Sequence, residues 1–341
     1  MNTPTELGFT MPAEWETHQA TWLTWPHNPE TWPGKLPQIE KVYVEMVKAL
    51  SLGEHVHINI NHNLNPQKIQ KLLTDEGVQN FTIHSFPTND SWIRDYGPTF
   101  VKNASELALI HWGFNMWGGK YPPWDLDEKI PSRIAQFLEF KKFSPGMILE
   151  GGSIEADGCG TLLTTESCLL NPNRNPHLKK NQIEKILYDN LGVKKILWLK
   201  DGIVGDDTDG HIDDLTRFVA PGKVISIIED HTSDANYIPL RTNIKLLEKM
   251  KDAENRSLEI ILLPMPKPVI NQGVRLPASY ANFYIGNKVV LVPTFQDKND
   301  EHALEIIASC FSTRKIIEIP ARDLVFGLGA CHCLTQQQPD R

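Results

Sequence analysis

A chain of 341 residues with 40% hydrophobic content has ample material for a buried core, so it is a folded protein and neither a tail nor a linker. Its formal net charge of -8, with 34 Lys and Arg against 42 Asp and Glu, argues against a sequence-independent grip on nucleic-acid phosphates and suits a small cationic partner. No run reaches the roughly 18 apolar residues of a membrane span, the start MNTPTELGFTMP lacks a signal-peptide layout, and an odd set of five cysteines without zinc spacing reads as reduced thiols, so the expected compartment is the cytoplasm.

In chain order, the first periodic segment is LPQIEKVYVEMVKALS (36–51), whose apolar residues recur at helical spacing. A strand in HVHINI (55–60), a weaker helix in NPQKIQKLLTDEG (65–77) and a strand in FTIHSF (81–86) follow. From there one pattern repeats. The hairpin signal TFVKNASELALIHW (99–112) precedes a helix over 125–140, and SIEADGCGTLLTT (153–165) precedes a helix over 175–192 and the strand 194–200. TRFVAPGKVISII (216–228) leads to a helix over 238–257 and the strand 258–264, and ANFYIGNKVVLVP (281–293) to a helix over 300–314 and the strand 315–320. The cycle of helix, strand, polar motif and hairpin recurs about five times and predicts one domain, 1–341, of α/β modules. An open α/β sheet also satisfies this alternation. Chemically loaded residues in the loop between strand and hairpin favour modules arranged around a centre, because radial repetition brings such loops to one place.

Those loops read NDSWIRDYGP (89–98), LEGGS (149–153), DDTDGHIDD (206–214) and GLGACHCLTQQQP (327–339). They hold Asp90, Asp95, Glu150, His211, Asp213 and Cys333. A thiol is the strongest neutral-pH nucleophile once it becomes a thiolate, and a Gly-rich approach gives substrate access to it. The polar run CHCLTQQQP is poorly suited to a core strand, which favours chemistry over packing for its cysteines. Cys331 would face the same side as Cys333 on an extended segment, so spacing alone leaves both open. His211 lies among five aspartates, an arrangement of a metal site or of a histidine kept basic by carboxylates; the loop has no second His or Cys at ligand spacing, so a metal is not expected. Taken singly, each acid reads as a turn or surface residue. Together, carboxylates around a thiol raise its pKa, which makes sense when the substrate is itself a cation: a guanidinium presents planar N–H forks that match carboxylates bidentately.

With these segments assembled, the chain resembles the agmatine deiminases, a branch of the guanidino-group-modifying enzymes that also includes bacterial peptidylarginine deiminases. The resemblance runs nearly end to end through MPAEWETHQATWLTWPHNPETWPG, NDSWIRDYGPTFV, GFNMWGGKYPPWDLD, LEGGSIE, DGHIDDLTRF, LPASYANFYIGN and GLGACHCLTQQQP. It implies a five-module pseudo-symmetric α/β propeller, the pentein fold, with a central site. It implies Cys333 of the HC pair as nucleophile, with His332 beside it and Cys331 a bystander, and His211 as general acid and base. Asp95 and Asp213 match the two guanidinium-binding aspartates, Glu150 the carboxylate that partners histidine and substrate, and Trp92 an aromatic wall of the substrate slot.

The implied reaction hydrolyses agmatine to N-carbamoylputrescine and ammonia through an amidino-cysteine intermediate, in putrescine and polyamine biosynthesis, without metal or organic cofactor. Peptidylarginine or arginine deimination is the alternative. Trp22, Trp25, Trp92 and Trp117 favour a substrate ending in an amine, through cation–π contact. The family often has a third Gly and an aliphatic residue before the HC pair, where this chain has Leu328 and Cys331. A homo-oligomer is allowed by the sequence and not specified by it.

Overall fold

The computed structural model describes residues 2–341. Among them, the strands group into five sheets of three or four strands and a separate two-stranded hairpin, Ile270–Asn271 with Val274–Arg275. Each of the five sheets follows one rule. Two strands pair antiparallel, a helix follows, and the next strand lies parallel to the second, because a parallel neighbour can only be reached by a crossover. Thr99–Lys102, Leu107–Ile110 and Lys141–Phe143 form the first module. Glu155–Ala156, Thr161–Thr165 and Lys195–Leu199 form the second, and Thr216–Ala220, Lys223–Ile228 and Glu259–Pro264 the third. Tyr284–Ile285, Val289–Thr294 and Lys315–Pro320 form the fourth.

The fifth module joins the two ends of the chain. Strand Gln336–Pro339 pairs antiparallel with His18–Thr24, with Trp22 opposite Gln336, and His18–Thr24 then runs parallel to His55–Asn59, which in turn pairs with Phe81–His84. The arrangement has the five α/β modules that the repeat predicts and that the resemblance describes as a propeller. The polar run QQQP, expected to be unsuited to a core, is a fully buried strand. It is tolerated because its side chains are satisfied: Gln337 Oε1 accepts from Arg94 at 2.7 Å, Gln338 Oε1 from the Trp22 indole at 2.9 Å, and Gln338 Nε2 donates to Gln19 at 2.7 Å.

Most helices keep their predicted faces. Leu36–Leu50 buries Ile39, Val42, Tyr43, Met46, Val47 and Leu50, the i, i+3, i+4 stripe of an amphipathic helix. The helix expected over 238–257 instead spans Tyr237–Leu247. Beyond it, the Asp252 carboxylate accepts from the Glu254 and Arg256 amides, a local side-chain turn that competes with further helix. Trp22 and Trp25 are fully buried core residues with indoles bonded to Gln338 and Glu40, so neither belongs to a substrate slot. Among the described residues no helix is long and apolar enough to cross a membrane.

One side chain from the N-terminal segment ties the modules together at the centre. Glu14, 4% exposed, receives Arg217 from the third module at 2.9 Å, the Ile285 amide from the fourth at 2.9 Å, His332 of the fifth at 2.8 Å and Arg94, beside the first, at 3.3 Å. Burial works against its charge, but Arg217, His332 and Arg94 hold the carboxyl well below the usual range. Removing one member of such a set leaves the others buried and uncompensated. Glu14→Ala therefore lowers unfolding stability by about 3–5 kcal/mol, read from the urea midpoint; an unchanged midpoint would contradict this role.

Candidate active site

Every functional loop occupies the same place in its module, just before the first strand of the hairpin. Asp95 lies in the short helix Ile93–Tyr96 ahead of Thr99–Lys102. Glu150 opens the tight turn Gly151–Ser153 ahead of Glu155–Ala156, and His211 opens the turn Ile212–Asp214 ahead of Thr216–Ala220. Cys333 lies in the turn 331–334 ahead of Gln336–Pro339. The fourth module contributes Asn282 at the equivalent position. This repetition brings Asp95, Glu150, His211, Asp213 and Cys333 together from four modules.

The distances are short. His211 Nδ1 is 3.7 Å from Asp95 Oδ1, and His211 Nε2 is 3.9 Å from Glu150 Oε2. Cys333 Sγ is 3.8 Å from Asp213 Oδ2 and accepts from Asn282 Nδ2 at 3.1 Å. Gly152 sits in their midst and donates its amide to Asp95 Oδ1 at 3.0 Å. A Cβ there would meet His211 Nδ1 at 2.6 Å, Asp95 Oδ1 at 2.8 Å and Asp213 Oδ2 at 2.9 Å, so only glycine lets the three groups converge. Each of these acids and His211 is buried. Yet Glu150 Oε2, Asp213 Oδ1 and both His211 nitrogens find no hydrogen-bond partner among the described residues. Buried polar atoms are almost always paired, and two bare carboxylate oxygens beside a histidine call for a ligand rich in N–H donors.

Electrostatics points the same way. Burial pushes the Asp95 carboxyl up to about 6, with Asp213 and Glu150 adding to the rise. Burial also opposes charge on His211, but Asp95, Cys168 and Asp213 outweigh it and hold the imidazolium well above its usual range. The Cys333 thiol is driven well above its ordinary value by burial and by Asp213, Asp214 and Asp95. The resting sulfur is therefore a neutral thiol in an anionic surround, and an incoming cation reverses the field that suppresses its ionisation.

Trp117 donates its indole N–H to Asp95 Oδ2 at 2.9 Å. Met116 and Trp117 hold this geometry with φ of 55° and 54°, left-handed values that cost roughly 1–3 kcal/mol per residue. Trp92 packs against Trp32 with ring centroids 5.3 Å apart, and a Cβ on Gly329 would fall 2.5 Å from the Trp92 ring. Leu328, next to Gly329 in the chain, has a left-handed φ of 69°, a conformation free of penalty only for glycine. A cavity of about 650 Å³ opens above, and Asp95, Trp92, Trp117 and Cys333 line it.

Cys331, although two residues from Cys333, is not on the same face of a strand. The segment turns, Cys331 is fully buried, and burial pushes its thiol up without a cavity-lining position. Sequence reasoning also passed over Asn282, Glu14 and Arg174. Asn282 was legible by analogy, since it holds the pre-hairpin position that carries chemistry in every other module. One donor set could converge on a metal ion: Glu150, Cys168 and His211, with ligand atoms within 4.8 Å of one another. The buried Arg174 guanidinium already binds Glu150 Oε1 at 2.9 Å and places a positive charge against the set, which opposes a dication.

The sequence pattern of the Porphyromonas-type peptidyl-arginine deiminase family matches residues 10–339. An agmatine deiminase of Pseudomonas fluorescens is 38% identical over 362 aligned positions, covering 99% of this chain and 97% of that protein. Among solved structures, the agmatine deiminase of Enterococcus faecalis, described as catalysing its reaction, superposes with a TM-score of 0.93 at 35% identity, over 100% and 98% of the two chains. A cysteine-to-serine variant of the C. jejuni agmatine deiminase with substrate bound gives 0.88 at 33% identity, over 97% and 96%.

The suppressed thiol gives a direct test in the ligand-free protein. Alkylation of Cys333 by iodoacetamide, followed by peptide mass spectrometry, rises with pH only beyond the range of an ordinary cysteine; half-maximal labelling near neutral pH would overturn the electrostatic account.

Proposed function

Because the chain belongs to the Porphyromonas-type peptidyl-arginine deiminase family, we propose that it is an agmatine deiminase that converts agmatine and water to N-carbamoylputrescine and ammonia, with Cys333 as nucleophile. The observation that carries this reading is the set of unpaired acceptors: Glu150 Oε2 and Asp213 Oδ1, gathered with Asp95 and 0% exposed His211 around Gly152, with Cys333 Sγ 3.8 Å from Asp213 Oδ2. A guanidinium supplies planar donors for these oxygens and a charge that offsets theirs.

Asp95 and Asp213 fix the guanidinium nitrogens, and Trp117 orients Asp95. The entering positive charge lowers the barrier to ionising Cys333, whose proton leaves to solvent. The thiolate attacks the central carbon, and the electron pair of the C=N bond moves to nitrogen. His211, as imidazolium, protonates the departing nitrogen, and ammonia leaves as the C–N bond breaks. The product of this half is an amidino-cysteine. His211 is now neutral and removes a proton from water, whose oxygen attacks the same carbon; collapse expels the Cys333 sulfur and frees the ureido group. Glu150, held by Arg174, steadies His211 through both roles. A single histidine does this best with a pKa near the working pH, and the charge of the bound substrate works against the carboxylates that raise it. Trp92 forms the wall that keeps the flat group against sulfur.

At the substrate's far end the cavity favours an amine over a carboxylate. Glu30, Asp90 and Asp207 line it, and Lys120 is committed to Asp209 at 2.9 Å and Asp207 at 3.5 Å. Tyr121 donates to Asp207 as well. This balance supports agmatine over free arginine, whose carboxylate would need an uncommitted cation. We take 1–341 as a single deiminase domain that works in the cytoplasm without nucleic acid, since loops from all five modules build one site.

Acid-quenching the enzyme during turnover of agmatine traps the added amidino group on the peptide that carries Cys333, and Cys333→Ser shows none; an adduct on another residue refutes the assignment. In a panel of agmatine, arginine and a C-terminal-arginine peptide, ammonia release is fastest from agmatine. Asp207→Ala raises KM for agmatine by about tenfold, the size of one lost charged contact; equal KM values would remove Asp207 from amine recognition.

A further inference from the structure

His332 stands between two buried carboxylates. Its Nδ1 is 2.7 Å from Asp213 Oδ2 and its Nε2 is 2.8 Å from Glu14 Oε2, with the imidazole 1% exposed. A neutral imidazole has one N–H and one lone-pair nitrogen, so it can donate to one carboxylate only and turns a lone pair on the other. Two contacts of this length require two donors. Either the ring is an imidazolium or one carboxyl carries the proton. Glu14 also faces Arg94 and Arg217 and accepts the Ile285 amide, all of which favour its anion. Asp213 has charged neighbours besides His332, namely His211 and Arg217, and both favour its anion against the effect of burial. The proton belongs on the ring.

From this geometry we infer that His332 is a positioning residue of the reaction, a built-in imidazolium that clamps Asp213 by one oxygen and leaves the other for the guanidinium. The inference deepens the deiminase reading and rests on it for its kinetic consequence. The clamp explains an asymmetry at Asp213, where Oδ2 is taken by His332 and Oδ1 is unpaired. It also explains why a histidine precedes the nucleophile. The His332 amide bonds the Asn282 carbonyl at 3.1 Å and its side-chain oxygen at 3.0 Å, while Arg94 Nε donates to the His332 carbonyl at 3.3 Å, so the ring is fixed at its backbone as well.

The charges around it are accountable. Facing His332 and its partners are Glu14, Glu155 and Asp213 on the negative side and Arg94 and Arg217 on the positive side. The imidazolium brings this inner layer to balance. Asp213 also faces His211, Asp95, Asp206, Asp214 and the Cys333 thiol. Without the ring's charge the layer carries an excess anion, and Asp213, released from its clamp, takes up a proton more readily. The substrate-binding anion is then formed only at higher pH.

Two measurements on the full chain decide the matter. With ring-15N histidine in the ligand-free protein under the conditions of the kinetic assay, and the His332 signal assigned by its loss in His332→Gln, both ring nitrogens carry a proton, as its two short carboxylate contacts require. A lone-pair nitrogen there overturns the proposal, whatever the enzyme's substrate. In steady-state kinetics with agmatine, His332→Gln raises KM about tenfold or more and moves the acid limb of kcat/KM upward by about one pH unit, the size expected when one close opposite charge is lost. A variant that loses kcat or thermal stability while the acid limb stays in place shows mere packing and overturns it. If His332→Gln does not fold, His332→Asn takes its place and the labelled wild-type protein still gives the first answer. Failure of the wild type to release ammonia from agmatine would count against the deiminase reading, leaving the 15N result to stand on its own.

Discussion

The centre of this molecule depends on one carboxylate. Glu14 comes from an N-terminal segment outside the repeated modules, yet it is the point where Arg94, Arg217, the Ile285 amide and His332 meet. Radial repetition brings loops to a common centre but does not by itself fix their distances, because each loop is a turn with little regular hydrogen bonding. A buried anion that accepts from four separate segments supplies that constraint. It also explains how two arginines can lie in the interior at no more than 3% exposure. Buried charges are tolerated where partners are close and numerous, and the cost of losing any one partner falls on all the others.

Above that layer lies a second one of opposite design. Glu14 is fully satisfied, whereas Glu150, Asp213 and His211 keep atoms unpaired, and Asp95 is held at a pKa of about 6. A protein folds in spite of such groups only if other interactions carry the cost, and sites of function are where that imbalance is found. The left-handed Met116 and Trp117 belong to the same pattern, since their strained backbone directs an indole N–H at Asp95. Cys333, His211 and the carboxylates of Asp95, Asp213 and Glu150 are thus tuned by one another, an anionic set suited to a cation.

Much of this was legible in the sequence. The repeat of hairpin, helix and strand was read as about five copies, and in four modules it is plain, because turn-joined pairs of short β-rich runs precede helices of 3.6 period. Their central strands are buried along their length and so carry no alternation. The fifth module was harder. Its first strand is the polar QQQP and its second, HQATWLT, has no turn beside it, so pairing between residues some 300 positions apart left no local trace. Site residues that sit in Gly-flanked loops could be singled out. Glu14 and Arg217 could not, because a lone acid before a tryptophan and an arginine inside a strand look like ordinary surface residues until the fold buries them. Trp22 and Trp25 show the converse: tryptophans fit an aromatic slot as well as a core, and only burial tells which.

The pairing of Gln336–Pro339 with His18–Thr24 has a consequence for the order in which the protein comes into being. Cys333 lies just ahead of that strand, so the sulfur leaves the ribosome after Asp95, Glu150, His211 and Asp213. A growing chain can form its first four modules one after another, each by mostly local contacts. Cys333 joins those residues only when Gln336–Pro339 pairs with His18–Thr24, a strand made far earlier. Joining of the fifth module and assembly of this cluster are one event.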